Sequence, residues 1–203
     1  MTAVAELIVR SAVEPWERIG LRIVDGQSWI GGIRLRFVGS DGADDAQQLI
    51  GWTLVGSPST PATIDGLATS YLDDVDPLAW QHPLGVTGFD HVVVMTSSIE
   101  RTCGQIEAVT GEPLKRIREA GPVRQGFHRL GPLIVEVVES AQHAHDHARF
   151  WGFVLVVDDL YEAAGQLGPE VMSHPKPAVQ PGRFIASFRA EAGLGLPVAV
   201  MSR

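Results

Sequence analysis

Residues 88–102 read GFDHVVVMTSSIERT, an apolar strand that runs directly into a helix start. Alternation puts His91, Val93 and Met95 on one face of this strand and Val92 and Val94 on the other. Ser97, with Glu100 three residues later, has the spacing of a capping box, in which two side chains satisfy orphan amides of the first turn. The same opening occurs twice more. AELIVRSAVE at 5–14 carries Ser11 and Glu14, and FVLVVDDLYE at 153–162 carries Asp159 and Glu162.

The segments after the helices also repeat. IGGIRLRFVG (30–39), LGPLIVEVVE (130–139) and LGLPVAVMS (194–202) each bring a Gly turn into an apolar strand, with Arg36 in the first at the point where Glu136 stands in the second. The spacing predicts a helix over 99–110, with Ile99, Cys103, Ile106 and Val109 on one face, and strands near 114–120, 124–130 and 132–139. In the last third it predicts a strand at 150–157, a helix at 160–167, and strands near 171–175, 183–189 and 196–202. Both stretches are βαβββ modules, one over 88–140 and the other over 149–202. Residues 1–56 read as a reduced N-terminal module, and 57–87, rich in Pro, Asp and Gly, as a linker with a short helix over Asp65–Tyr71. The expected fold class is α+β, with tandem βαβββ modules, two of which pair into a curved half-barrel sheet with helices on its convex face.

Composition narrows the function classes. The chain has 203 residues, 45% hydrophobic and 20% charged, with a formal net charge of −8, so a nucleic-acid partner would bind against the overall field. No stretch approaches the roughly 18 uninterrupted apolar residues of a membrane helix, so no membrane partner is expected. A lone cysteine, Cys103, has no internal disulfide partner and lies in a helical pattern, which suits a cytoplasmic protein and a core thiol. There is no GxGxxG, P-loop, nucleophile elbow or CxxC pair, which argues against nucleotide-binding and hydrolase classes.

The paired modules, opening with GFDHVVVMTSSIERT and RFWGFVLVVDDLYEA, resemble the vicinal oxygen chelate superfamily, the glyoxalase, bleomycin-resistance and extradiol dioxygenase group. The resemblance covers 88–202 well and the first 56 residues loosely. It implies a half-barrel around a pocket, with a divalent metal (Zn, Fe, Mn, Ni or Mg) held by side chains from the first and last strands of each module. His91 falls on the first ligand position and Glu136 on the last-strand position of the same module. The second module departs from this pattern. Gly152 or Phe153 stands opposite His91, and the closing strand offers Ala199, Val200 and Met201, of which only the Met201 thioether is a donor, and a soft one. The metal set is therefore half present, and that divalent metal is the one cofactor the resemblance implies.

Glu136, between Ile134 and Val138, needs a partner, because an isolated buried carboxylate costs several kcal/mol. His91, a metal or Arg183 would supply it, and Glu136 is also the candidate catalytic base. In PGRFIASFR (181–189), Phe184, Ala186 and Phe188 are expected under the helices and Arg183 and Ser187 toward the cavity, where with Phe127 they are the ligand-binding candidates. HAHDHA places His143, His145 and His147 in the connection between modules, where they read as a solvated linker. The expected partner is a small-molecule ligand. Because an odd number of modules leaves an uncovered edge or face, either intrachain covering or a homodimer is also expected. The functional expectation is a ligand-binding protein of the glyoxalase/bleomycin-resistance kind, the alternative being a divalent-metal-dependent lyase, isomerase or dioxygenase using His91 and Glu136.

Overall fold

The structure is a computed structural model that describes residues 1–39, 48–140 and 145–203. Two curved sheets carry all fourteen strands found among these residues. The first is built from β1 (Ala3–Arg10), α1 (Glu14–Arg18), β2 (Gln27–Ile30), β3 (Ile33–Val38), β4 (Leu49–Val55), β5 (Thr63–Ile64) and β6 (Leu67–Leu72), in the order β2-β3-β1-β4-β6-β5. Residues 73–85 then cross to the second sheet. It is built from β7 (Val86–Thr96), α2 (Ile99–Thr110), β8 (Arg116–Ala120), β9 (Val123–Leu130), β10 (Leu133–Glu139), β11 (Arg149–Val157), α3 (Leu160–Leu167), β12 (Lys176–Pro177), β13 (Phe184–Ser187) and β14 (Val198–Ser202). Its order is β12-β13-β14-β11-β7-β10-β9-β8.

The second sheet is two βαβββ modules joined by antiparallel pairing of their first strands, β7 and β11, each of which runs parallel to its module's last strand, β10 or β14. Helices α2 and α3 occupy the predicted residues. Their caps differ from expectation at one end: Ser98, not Ser97, accepts the Arg101 amide, while Asp159 accepts the Glu162 amide as expected. In the first module α1 starts at Glu14 after Val13 with no side-chain cap, and the Ser11 hydroxyl accepts from Trp16 Nε1 instead.

The first sheet has the same plan in reduced form. Its central pair β1 and β4 is antiparallel, β1 runs parallel to β3, and β4 runs parallel to β6. The bulges agree as well. An extra residue, Ala5, interrupts β1 where Asp90 interrupts β7, and register shifts again at Ile50 of β4, as it does at Trp151 of β11. Bulges are position-specific features of a sheet, so two shared positions mark the two sheets as versions of one paired-module unit, the second sheet having one further register shift, at Thr87.

The 57–87 stretch is corrected by this finding. The short helix expected over Asp65–Tyr71 is instead the hairpin of β5 and β6, closed by Asp65 and Gly66, both at positive φ (48° and 87°), the signature of a two-residue turn. β6 alternates buried and exposed residues at first, a strand period rather than a helical one. The N-terminal part therefore holds two reduced modules, and the odd module that gave a reason to expect a partner copy is gone. The strand expected near 171–175 is reduced to a bridge between Met172 and Phe188, with β12 starting later, at Lys176.

The sheets share one core. Fully buried Trp16 of α1 stacks on Phe153 of β11 and touches Phe37 of β3, and Trp52 of β4 meets Phe150 of β11 edge-on. Val92, Val94, Val135 and Val137 are fully buried on the convex side of the second sheet, and α2 lies against β9 and β10 there. Gly126 of β9 faces α2, where a Cβ would come within 2.8 Å of Cys103 Sγ. The opposite, concave face of the second sheet is left for the cavity. No helix among the described residues is long and apolar enough to cross a membrane.

Candidate functional site

The concave face has two adjoining cavities. One, of about 580 Å³, is mostly apolar and includes Val138, Trp151, Ile185, Phe188 and Ala199. The other, of about 650 Å³, includes Arg116, Arg118, Phe127, Lys176 and Met201. His91, Gln125, Glu136 and Ile185 border both, so the polar pair picked out by sequence stands at their junction.

Strand geometry brings this pair together. In the parallel ladder of β7 and β10, Val93 is opposite Glu136 and His91 opposite Ile134, so His91 and Glu136 share a face one step apart. His91 Nε2 lies 3.3 Å from Glu136 Oε2. The other ring nitrogen, Nδ1, is 2.8 Å from Asp90 Oδ2. Asp90 stands next to His91 in sequence and by simple alternation belongs on the other face. The β7 bulge gives Asp90 no partner of its own, since Phe89 and His91 pair with consecutive β11 residues, and the extra residue turns toward the cavity side. Sequence reading missed Asp90, and its signal, an acidic residue beside a buried-strand histidine, is visible only once the bulge is known.

The network continues outward on both sides. Arg183 Nη1 donates to Asp90, its Nε donates to the Ser202 carbonyl (2.8 Å), and Gln180 Oε1 accepts from the same Nη1 (2.6 Å). On the other side the Gln125 side-chain amide donates to Glu136, and Arg118 Nε donates to Gln125 Oε1 (2.8 Å). Burial pushes the Asp90 carboxyl up, but the hydrogen bonds and charges of His91 and Arg183 outweigh it, holding the group below its ordinary range. An ionised acid thus anchors one end of an Arg183–Asp90–His91–Glu136–Gln125–Arg118 chain laid across the floor of the half-barrel.

The other predicted residues divide among the cavities, the core and the surface. Ser187 lines the apolar cavity, and its backbone amide donates to Ser173 Oγ. Phe127 lines the second cavity beneath Arg116, whose guanidinium carbon sits 4.7 Å above the ring centroid. Phe184 packs against Tyr161 of α3 and Ala186 is fully buried, as expected, but Phe188 lines the cavity, because β13 ends at Ser187 and strand alternation stops there. Cys103 is buried on the opposite side of the sheet with its thiol pushed up to about 12 by burial, which removes it as a nucleophile. His145 and His147 are exposed, the His145 carbonyl accepting from Ser97 Oγ, and His143 lies outside the described residues.

Aligning helix caps and ladders gives the four modules a common pair of positions. They hold Glu6 and Arg36, Gly51 and Ser70, His91 and Glu136, and Gly152 and Ala199. In the first sheet, Arg36 Nε donates to Glu6 Oε2 (3.1 Å), an ion pair where the second sheet has His91 and Glu136. At Gly152 a Cβ would overlap the Pro197 carbonyl oxygen, so no side chain fits where the second module's first ligand would stand. Ala199 supplies no donor at the other position. Among the described residues no three His, Cys, Asp or Glu side chains are grouped to hold a metal. The donors that do meet, His91 and Glu136, are engaged by Asp90 and Gln125. Catalytic sites usually keep three protein ligands, so the residues present do not fit a resident divalent ion.

No family model matches the chain, and no curated protein matches it. Solved structures do. Methylmalonyl-CoA epimerase from Mycobacterium tuberculosis is 11% identical, with a TM-score of 0.49 over 58% of this chain and 89% of that one. A variant of the Streptomyces coelicolor methylmalonyl-CoA epimerase is 13% identical (TM-score 0.48, 58% and 97% covered). A hypothetical protein from Bacillus halodurans is 14% identical (TM-score 0.47, 57% and 93% covered).

Proposed function

We propose that this chain is a member of the vicinal oxygen chelate superfamily that holds a small organic ligand in its half-barrel without a resident metal, in the manner of glyoxalase-like and bleomycin-resistance proteins. The observation that carries the reading is the closed second half of the ligand set. The backbone of Pro197 occupies the space a side chain at 152 would need, and Ala199 supplies no donor, so among the described residues only His91 and Glu136 meet at the site. A mostly apolar cavity with few convergent polar groups is the usual form of a small-molecule site. In it Glu136, His91 and Ser187 orient the ligand, and Trp151 and Phe188 cover its apolar part. A second reading, a divalent-metal-dependent lyase, isomerase or dioxygenase, is favoured by one feature: His91 Nε2 and Glu136 Oε2 border both cavities at 3.3 Å from one another. The two readings part on whether that pair takes up a divalent ion.

The binding reading is tested by a thermal-shift screen of small neutral and acidic aromatic compounds against wild type and Val138→Trp, a change that fills the apolar cavity. Compounds that raise the Tm of wild type are expected to lose that effect in the variant. Shifts that persist in Val138→Trp, or no shift with any compound, would overturn it.

A further inference from the structure

The two edge strands of the second sheet are β8 and β12, seven strands' spacing apart along the ladder. Curvature brings them to opposite sides of one cavity. Arg116 and Arg118 line it from β8, and Lys176 from β12. This is an unusual concentration of positive charge for the chain, which has only two lysines and a net charge of −8. Arg183, the other cation at this cavity's base, is matched to an acid, Asp90. Among the described residues no carboxylate stands within ion-pair distance of Arg116, Arg118 or Lys176. Arg116 lies over the Phe127 ring and Arg118 is steadied by Gln125, so both guanidinium groups are held in place without being neutralised. The acids at the base of the same cavity, Asp90 and Glu136, are occupied by Arg183, His91 and Gln125. The neighbouring cavity is apolar and shares its floor with this one.

We infer that the ligand is an amphipathic organic anion. Its apolar body lies in the chamber of Val138, Trp151 and Phe188, and its carboxylate or phosphate head lies between the two edge strands on Arg116, Arg118 and Lys176. This deepens the ligand-binding reading and rests on it. Arg116 and Arg118 project from one face of β8 and Lys176 faces them, so the head is gripped from both rims, and a bound anion ties the open sides of the half-barrel together.

Isothermal titration of the full chain with octanoate, octyl phosphate, octanol, octyltrimethylammonium and inorganic phosphate tests this. At least one of the octyl anions is expected to bind about tenfold or more tighter than octanol, with an affinity that falls as salt is raised. Inorganic phosphate and the octyl cation are expected to bind weakest. The tighter of octanoate and octyl phosphate identifies the head. The Arg116→Gln/Lys176→Gln variant should lose about tenfold for that anion and keep its octanol affinity, while Arg22→Gln, in the first sheet's half of the chain, leaves both unchanged. If octanol binds as tightly as the anions, or the double variant changes nothing, the anion inference fails and the cavity reading stands. Inorganic phosphate binding as well as octyl phosphate removes the amphipathic part. Binding by none of the octyl compounds overturns the anion inference and leaves the cavity reading to the aromatic screen.

Discussion

Asp90 shows how much of the site hangs on one side chain. It accepts from Arg183 and from His91, and it is almost wholly buried, so its ionised form is stabilised by partners rather than by water. Asp90→Asn keeps the shape and removes the charge, leaving Arg183 and His91 without their anion. We expect a loss of about 1–3 kcal/mol at neutral pH by urea unfolding. The pH dependence has a definite sign. The folded-state carboxyl is held below its ordinary value of 3.8, so its stabilisation is present above that value and is lost as pH falls through the lower folded value. The gap between wild type and variant should therefore be full above about pH 4 and close in more acidic solution. A gap that stays constant down to pH 2 would show that the ionisation of Asp90 is not what stabilises the fold.

At the scale of elements, close approach governs what each position tolerates. Gly126 sits where β9 passes beneath α2, and a Cβ there would come within 2.8 Å of Cys103 Sγ and 3.1 Å of Ile99 Cδ1. Both neighbours are buried in the core, so Gly126→Ala should cost about 1–3 kcal/mol by overpacking, read as a lowered urea midpoint with unchanged m. Helix and strand periods were legible in the sequence: α2 and α3 occupy the expected residues, and His91, Val93 and Met95 share the cavity face. Bulges were not. Nothing in residues 88–102 announces that Asp90 is an extra residue, because a bulge is a relation between two strands and is fixed by the partner's register. The Asp65–Gly66 hairpin did have a local signal, Asp-Gly beside alternating residues, but the Pro-rich surroundings favoured a linker reading.

In the whole molecule, two paired-module sheets stand back to back, and the two cavities described above lie on the concave face of the second. The equivalent pair in the first sheet, Glu6 and Arg36, has become an ion pair that Arg34 and the Thr53 hydroxyl complete. The repeated openings at 5–14, 88–102 and 153–162 revealed three modules. The fourth, β4 to β6, has a hairpin in place of the helix, so no capping-box opening marked it as a module. The cavity's character was legible only in part: sequence placed His91 and Glu136 together, but Gln125, Trp151 and the cations on the two edges required the curvature of the sheet. The central claim is that the His91–Glu136 pair serves an organic ligand rather than a metal. The direct measurement is divalent-ion uptake by untagged protein equilibrated with Zn²⁺, Mn²⁺ or Ni²⁺ and gel-filtered, wild type against His91→Ala/Glu136→Gln, so that ions bound by the exposed histidines near 145 cancel. Equal metal content in the two proteins is the predicted result. One ion per chain in wild type that disappears in the double variant would contradict it.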